Sequence, residues 1–259
     1  MQSSKVSVVL SALDRKIDLF KKTWDSILKQ DYDNFEVCLV VVYQDGATER
    51  MISASQPPTF PLNIQVCHCP ENVVHGRSTH NNMALDMATG EINYVTQDDM
   101  ILPPNMLSSH AAWHARYEHP IAVYNKIRGA FSPDDQAAED EIWDKLMDSK
   151  RTPIRDRWKY GGGHSFSYPA NINVRMREEY NGRYGWEDID FGWQMHKFGV
   201  WFYFDKDVMP VHQPHGGSAW DRRDKGKDVF LKWLSERSIN RQIFQELNGF
   251  CPEYGTWNE

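Results

Sequence analysis

The stretch Phe35-Glu36-Val37-Cys38-Leu39-Val40-Val41-Val42-Tyr43 is apolar at nearly every position. A strand of a parallel sheet that is covered by helices on both faces has this continuous apolar character, whereas a strand with one solvated face alternates. Gln44-Asp45-Gly46 follows directly and has the composition of a turn. Residues 35–43 therefore predict a buried strand, with Asp45 directly beyond its end.

Strands and helices alternate on both sides of this strand. A short apolar run over 6–10 precedes a segment whose apolar residues recur every three or four positions, which is typical of an amphipathic helix. After the turn we expect a strand over 64–67, a helix over 77–88, a strand over 91–96 and a helix opened by Pro103-Pro104. This alternation predicts an α/β fold with a doubly wound, mixed but mostly parallel sheet flanked by helices.

The second half of the chain is less regular. We expect an insertion over 131–163, in which the segment 134–148 carries seven acidic residues and one lysine. The insertion ends at Gly161-Gly162-Gly163, which is either a hinge or a tight turn. The remaining predicted elements are a helix over 187–198, a strand over 200–204, a loop over 211–217 and a helix over 225–247.

No proline- or glycine-rich linker divides the chain, so we expect one domain over 1–259. Within it we distinguish a first half over 1–120, a second half over 121–220 and a C-terminal helical segment over 221–259.

Composition excludes several classes of protein. The chain has 29 basic and 36 acidic residues, a formal net charge of −7, which argues against a broad basic surface for nucleic acid. Its longest apolar run, 37–43, is far shorter than the roughly 20 residues that span a bilayer, and the N-terminus lacks the apolar region of a secretion signal. Four cysteines do not form a disulfide framework. We expect a cytoplasmic protein with at most peripheral membrane contact.

Three groups of polar residues lie where α/β sheets commonly bind ligands. Asp98-Asp99 follows a strand, Glu187-Asp188 opens a helix, and His212 and His215 lie in a later loop. Carboxylates together with an imidazole suit Mn²⁺ or Mg²⁺, which could hold a diphosphate while a separate carboxylate accepts a proton. Each group also has a plainer interpretation: a turn or helix cap, favourable pairing with a helix dipole, and a solvated loop histidine.

Taken in order along 6–215, the motifs of this chain resemble those of the family 2 glycosyltransferases with the GT-A fold. The matching segments are Val6-Ser7-Val8-Val9-Leu10-Ser11 as the first strand, Gln44-Asp45-Gly46-Ala47-Thr48 as the nucleotide turn, Ala88-Thr89-Gly90-Glu91 before the metal motif, Gln97-Asp98-Asp99 as that motif, Gly185-Trp186-Glu187-Asp188-Ile189-Asp190 as the acceptor helix, and Val211-His212 as the strand-end histidine.

The resemblance implies an inverting glycosyltransferase of polysaccharide biosynthesis that uses Mn²⁺ or Mg²⁺. The first half would bind a nucleoside-diphosphate sugar, expected to be UDP-linked, and the second half the acceptor, a glycan or a lipid-linked sugar. By position, the implied donor-binding residues are Ser11, Asp45, Arg77, Asp98 and Asp99; the metal ligands are Asp99, Asp98 and His212, with His215 as the alternative histidine; the catalytic residues are Asp188 as general base and Glu187; and the acceptor-binding residues are Trp186 and Glu187.

The chain departs from the family motifs at Asn81-Asn82, where the family commonly has arginine before asparagine, and at two further positions. Thr96 replaces the usual first aspartate of the metal motif, and Gln44 replaces the first aspartate of the nucleotide turn. Asp99 is therefore expected to be the direct metal ligand. Two other functions remain open on the sequence: a non-catalytic carbohydrate-binding or scaffold protein, and a nucleotidyltransferase. The latter would need a glycine- and lysine-rich loop after the first strand, for which 11–16 is a poor candidate.

Overall fold

The computed structural model describes residues 3–13, 17–43, 46–55, 59–68, 76–129, 157–158, 165–182, 185–213 and 227–252. Its strands are β1 (Val6–Leu13), β2 (Phe35–Tyr43), β3 (Leu62–His68), β4 (Ile92–Thr96), β5 (Met100–Ile101), β6 (Ile121–Asn125), β7 (Ser165–Pro169), β8 (Trp201–Asp205) and β9 (Val211–His212). Its helices are α1 (Ile17–Ile27), α2 (Ala47–Ala54), α3 (Arg77–Met87), α4 (Met106–Arg116), α5 (Glu187–Lys197) and α6 (Lys227–Asn248), with a 3₁₀ turn at Glu178–Tyr180.

Seven strands form one sheet in the order β3-β2-β1-β4-β7-β6-β8. The first four are parallel neighbours, β7 runs antiparallel to both β4 and β6, and β8 pairs with β6 in parallel. The C-terminal ends of β1, β2, β4 and β6 therefore lie along the same edge of the sheet. The predicted α/β fold with a mixed, mostly parallel sheet is confirmed.

The side chains of β2 explain why its sequence is apolar throughout. Leu39 and Val41 point into a core on one face of the sheet, which also contains residues of α1 and α4. Cys38 and Val40 point into a second core on the opposite face, which includes residues of α3 and α5. Because neither face of the strand meets solvent, both sets of alternating positions are apolar.

Several elements differ from those expected from sequence. α2, β6 and β7 were not expected at all, and α4 begins at Met106, so Pro103-Pro104 lies before the helix rather than in its first turn. β7 escapes recognition because one of its two buried faces is polar: Ser165 and Ser167 are each at most 2% exposed. Their hydroxyls bond to Asn125 and His110, far from β7 in sequence.

Part of the expected organisation lies outside the described residues. This holds for the acidic segment 134–148, for the triple glycine, and for all of the predicted insertion except 157–158. Within the described ranges, no helix combines the length and the apolar character needed to cross a membrane.

A buried carboxylate joins the N-terminal ends of β1 and β2, at the edge opposite the strand ends discussed above. Glu36 is 2% exposed and accepts hydrogen bonds from Lys5 Nζ, Ser7 Oγ and the Thr89 backbone N–H, each at 2.7 Å. Burial raises the pKa of this carboxyl, but the hydrogen bonds together outweigh it and lower the pKa of Glu36 to about 2.

We expect acidification to destabilise the protein through Glu36. The folded-state pKa lies below the ordinary value of 4.5, so its contribution is complete above about pH 4.5 and is lost as the pH falls towards 2. The full contribution is about 3 kcal/mol. The free energy of unfolding, measured by urea titration between pH 6 and pH 2.5, should depend less on pH in Glu36→Gln than in the wild type. Glu91→Gln, at an exposed site, is the matched control; equal pH dependence in all three proteins would contradict this role.

Candidate active site

The two aspartates after β4 are held in place by different contacts. Asp98 is 7% exposed, and its Oδ2 accepts the backbone N–H of Leu13, at the end of β1, at 3.1 Å. The Asp98 carbonyl accepts the hydroxyl of Thr23 at 2.9 Å. Asp98 therefore ties the end of β4 to β1 and α1, and its carboxylate faces the end of β1.

Asp99 lies beside His212. The two-residue strands β5 and β9 pair in antiparallel, with Met100 opposite His212, so His212 Nε2 lies 3.6 Å from Asp99 Oδ2. The N–H of Gln213 donates to the Asp99 carbonyl at 2.9 Å, and its side-chain amide donates to the Leu19 carbonyl. These bonds fix the relative positions of the carboxylate and the imidazole.

The Asp99–His212 pair has the donor set and the spacing of two metal ligands. Metal–ligand bonds of about 2.1 Å place neighbouring ligands roughly 3.0–3.5 Å apart, close to the 3.6 Å observed. Among the described residues, no three His, Cys, Asp or Glu side chains form a complete metal-binding cluster. Two protein ligands are nevertheless sufficient for a cation that also binds substrate phosphates and water.

The second acidic pair opens α5. Glu187 is buried, its Oε1 lies 3.3 Å from Arg77 Nη1, and its Oε2 has no hydrogen-bond partner among the described residues. Burial, reinforced by the neighbouring Asp188 carboxylate, raises the pKa of Glu187, while Arg77 acts in the opposite direction. Asp188 is half-buried, and its Oδ1 accepts the N–H of Ile189 at 2.9 Å. The two carboxylates thus differ in environment although they are adjacent in sequence.

The sheet register relates the two acidic pairs to each other. The Asp188 carboxylate lies close enough to Tyr124 to contribute, after burial, to the raised pKa of that phenol. Tyr124 of β6 is opposite Phe166 of β7, which in turn is opposite Val95 of β4. With strands about 4.8 Å apart, Tyr124 lies about 10 Å from Val95. Asp188 is therefore located near the same end of the sheet as the aspartates that follow β4.

The start of α3 is packed against the segment that leads to α5. A Cβ at Gly76 would lie 2.5 Å from the Cα of Asn181, so the two backbones approach too closely for any residue but glycine. The Asn82 amide both donates to and accepts from the backbone of Met176, at 2.8 and 3.0 Å. These contacts hold Arg77, the first residue of α3, at Glu187.

The remaining candidates fall in different places. Ser11 is half-buried within β1, and Asp45 and His215 lie outside the described residues. Trp186 is only 4% exposed, and its ring packs on Phe244 of α6 with the centroids 5.4 Å apart. It does not offer the open face for a sugar ring that the sequence predicts, because the indole fills the contact between α5 and α6.

Sequence reasoning missed Gln213, which fixes Asp99 and is 2% exposed. Its only sequence signal is its place directly after His212. The interpretation of 211–217 as loop also concealed β9, since a two-residue strand leaves no periodic pattern.

Comparisons with known proteins identify the family and the fold of this chain. The family described as glycosyl transferase family 2 matches residues 7–174. An uncharacterised glycosyltransferase from Bacillus subtilis (strain 168), YfnE, is 22% identical over 260 aligned positions, which cover 82% of this chain. The alignment covers 65% of YfnE, so the chain spans about two thirds of the length of that relative.

Two solved structures share the fold. The mannosyltransferase PcManGT from Pyrobaculum calidifontis, in complex with GDP-Man and Mn²⁺, has a TM-score of 0.65 and 19% identity over 95% of this chain and 72% of its own. S. aureus TarS 1–349, in complex with UDP-GlcNAc, has a TM-score of 0.63 and 15% identity over 94% of this chain and 76% of its own. With a family match that covers more than half of its residues, this chain belongs to glycosyl transferase family 2.

Proposed function

We propose that the protein is a metal-dependent, inverting glycosyltransferase that moves a sugar from a nucleoside diphosphate to a hydroxyl of a glycan or a lipid-linked sugar. The observation that carries the proposal is the Asp99–His212 pair beyond β4, at the same end of the sheet as Glu187–Asp188. In this proposal the first pair would hold a cation and the second would accept a proton, two roles that assist sugar transfer from a diphosphate donor.

Asp99 and His212 would bind Mn²⁺ or Mg²⁺ together with the donor diphosphate. Such a cation neutralises the negative charge that develops on the departing nucleoside diphosphate. Asp98 accepts a hydrogen bond from the end of β1 and would thereby fix the position of the adjacent Asp99. Ser11, Arg77 and Asp45 complete the proposed donor site, whose nucleotide we propose to be UDP.

Asp188 would act as the general base. It accepts the proton of the acceptor hydroxyl while that oxygen attacks the anomeric carbon from the side opposite the diphosphate, so the configuration inverts. A half-buried carboxylate suits this role, since it stays accessible to the acceptor. Glu187 would accept a hydrogen bond from the acceptor: its Oε2 is buried and unbonded among the described residues, and Arg77 holds its other oxygen.

Nucleotide binding tests the donor half of the proposal. Thermal unfolding should be measured with UDP, GDP, dTDP or CMP, each with and without Mn²⁺ or Mg²⁺. We expect one nucleotide to raise the midpoint temperature of unfolding, and to do so only when metal is present. Binding at a hundredfold excess over Kd adds about 2.7 kcal/mol, which is a rise of roughly 5–10 °C for a chain of this size. The two solved neighbours carry GDP-Man and UDP-GlcNAc. A response to GDP instead of UDP would therefore replace the proposed UDP-linked donor with a GDP-linked one. No metal-dependent response to any nucleotide would contradict the proposal.

A further inference from the structure

The turn that precedes Glu187 has an unusual backbone. Gly185 has φ of 81° and Trp186 has φ of 76°, so two consecutive residues are left-handed. Trp186 is the one non-glycine residue with positive φ in the described parts of the chain. A bulky side chain is strained in this region and persists there only where surrounding contacts impose it.

Those contacts come from α6. Asn240, which is 0% exposed, donates its Nδ2–H to the Gly185 carbonyl at 2.7 Å, and the Phe244 ring packs on Trp186. Two turns further along α6, Asn248 Nδ2 donates to Asp190 Oδ1 at 2.8 Å. α6 therefore contacts the chain on both sides of Glu187–Asp188 with a side-chain amide, of which Asn240 is buried and Asn248 half-buried.

The Asp190 carboxylate, on the far side of Glu187–Asp188, has several polar partners besides Asn248. Asp190 is 0% exposed, and it also receives Gln194 Nε2 at 2.8 Å and lies 3.3 Å from Arg177 Nη1. At the other end, within the described parts of the chain, the Gly185 carbonyl accepts one side-chain hydrogen bond. Its side-chain hydrogen bond comes from Asn240, whose Oδ1 has no hydrogen-bond partner among the described residues. A single hydrogen bond adds only modestly to net stability, so we ascribe the strained turn and the buried amide to placement of the carboxylates.

We propose that Asn240 is a positioning residue for Asp188: through its hydrogen bond to Gly185 it maintains the left-handed Gly185–Trp186 turn, which sets the direction of the first turn of α5. The inference rests on the proposed function, in which Asp188 is the general base. It assigns a role in the reaction to a helix that lies beyond the residues 7–174 matched by the family.

The test compares the wild type with Asn240→Leu, which keeps the branched shape of the side chain but removes the donor. UDP release from UDP-GlcNAc and GDP release from GDP-mannose are measured with Mn²⁺ and water as acceptor. On whichever donor the wild type uses, we expect kcat to fall 10- to 100-fold, with the donor KM within twofold and the unfolding midpoint within about 3 °C. Hydrogen exchange of the 187–190 amides should accelerate at least tenfold, while that of the β7 amides is unchanged.

Asn240→Ser, which is too short to reach Gly185, should show the same losses, and Gln242→Ala, at an exposed site of α6, should behave like the wild type. Unchanged exchange of 187–190, or a kcat equal to that of the wild type, would overturn the positioning role. Exchange that accelerates equally in β7 would also overturn it, since it indicates loss of overall stability. A wild type that releases neither nucleotide contradicts the proposed function instead, and the exchange data then decide the inference by themselves.

Discussion

Replacing Asp188 with asparagine is expected to lower the rate of sugar transfer by a factor of 10² to 10⁴, the usual contribution of a general base. Asparagine has nearly the same shape but does not accept the proton of an acceptor hydroxyl at neutral pH. Metal-dependent nucleotide binding should be retained within twofold, because the proposed donor contacts come from other residues. Steady-state kinetics and the thermal-shift assay with the responding nucleotide measure the two effects separately.

Glu178→Gln is the control for this experiment. It removes an exposed carboxylate in the 3₁₀ turn, ten residues before Asp188 in sequence, and should leave both rate and binding unchanged. Transfer by Asp188→Asn at the wild-type rate would exclude Asp188 as the base. Absence of transfer in the wild type itself, with nucleotide binding intact, would favour the non-catalytic carbohydrate-binding protein that the sequence leaves open.

Removing the Asp99 carboxylate should strongly weaken the metal-dependent binding of nucleotide. Asp99→Ala leaves His212 as the single member of the proposed metal pair, so the affinity for nucleotide in the presence of Mn²⁺ should fall about 100-fold, or about 2.7 kcal/mol. The thermal shift produced by nucleotide with Mn²⁺ should then disappear. Titration calorimetry at fixed nucleotide concentration checks the magnitude.

Asp99 is buried, so its substitution could also affect stability. Asp99→Asn keeps the volume and separates the two effects: we expect it to unfold near the wild-type temperature without nucleotide and to lose the metal-dependent shift. Asp33→Ala, at an exposed position, is the charge-matched control. A full metal-dependent shift in Asp99→Asn would show that this carboxylate does not bind the cation.

The parallel part of the sheet was predictable because its signals are local. A continuous apolar run predicts β2, and apolar residues repeated every three to four positions predict α1. β6 and β7 were missed for two different reasons. β6 is a short apolar strand with little flanking signal, and β7 buries serines whose partners, Asn125 and His110, lie elsewhere in the chain.

The candidate site was predictable only in its residue types. Acidic residues at strand and helix ends are visible in sequence, but their orientation is not. Asp98 and Asp99 are adjacent, yet one bonds to the end of β1 and the other lies beside His212. The same holds for Trp186, whose position before Glu187 suggested an exposed ring but whose neighbours on α6 bury it.

By itself, the sequence determined the α/β class, the order of the parallel strands along the chain and the acidic residues available for chemistry. Each of these is encoded locally, within a single strand or a few turns of helix. The tertiary structure alone decided that Asp99 meets His212 through the β5–β9 pair, that Arg77 meets Glu187, and that α6 holds the turn before Asp188. The physical reason is that these contacts join residues far apart in the chain. Sheet register and helix packing bring them together, and neither is encoded locally.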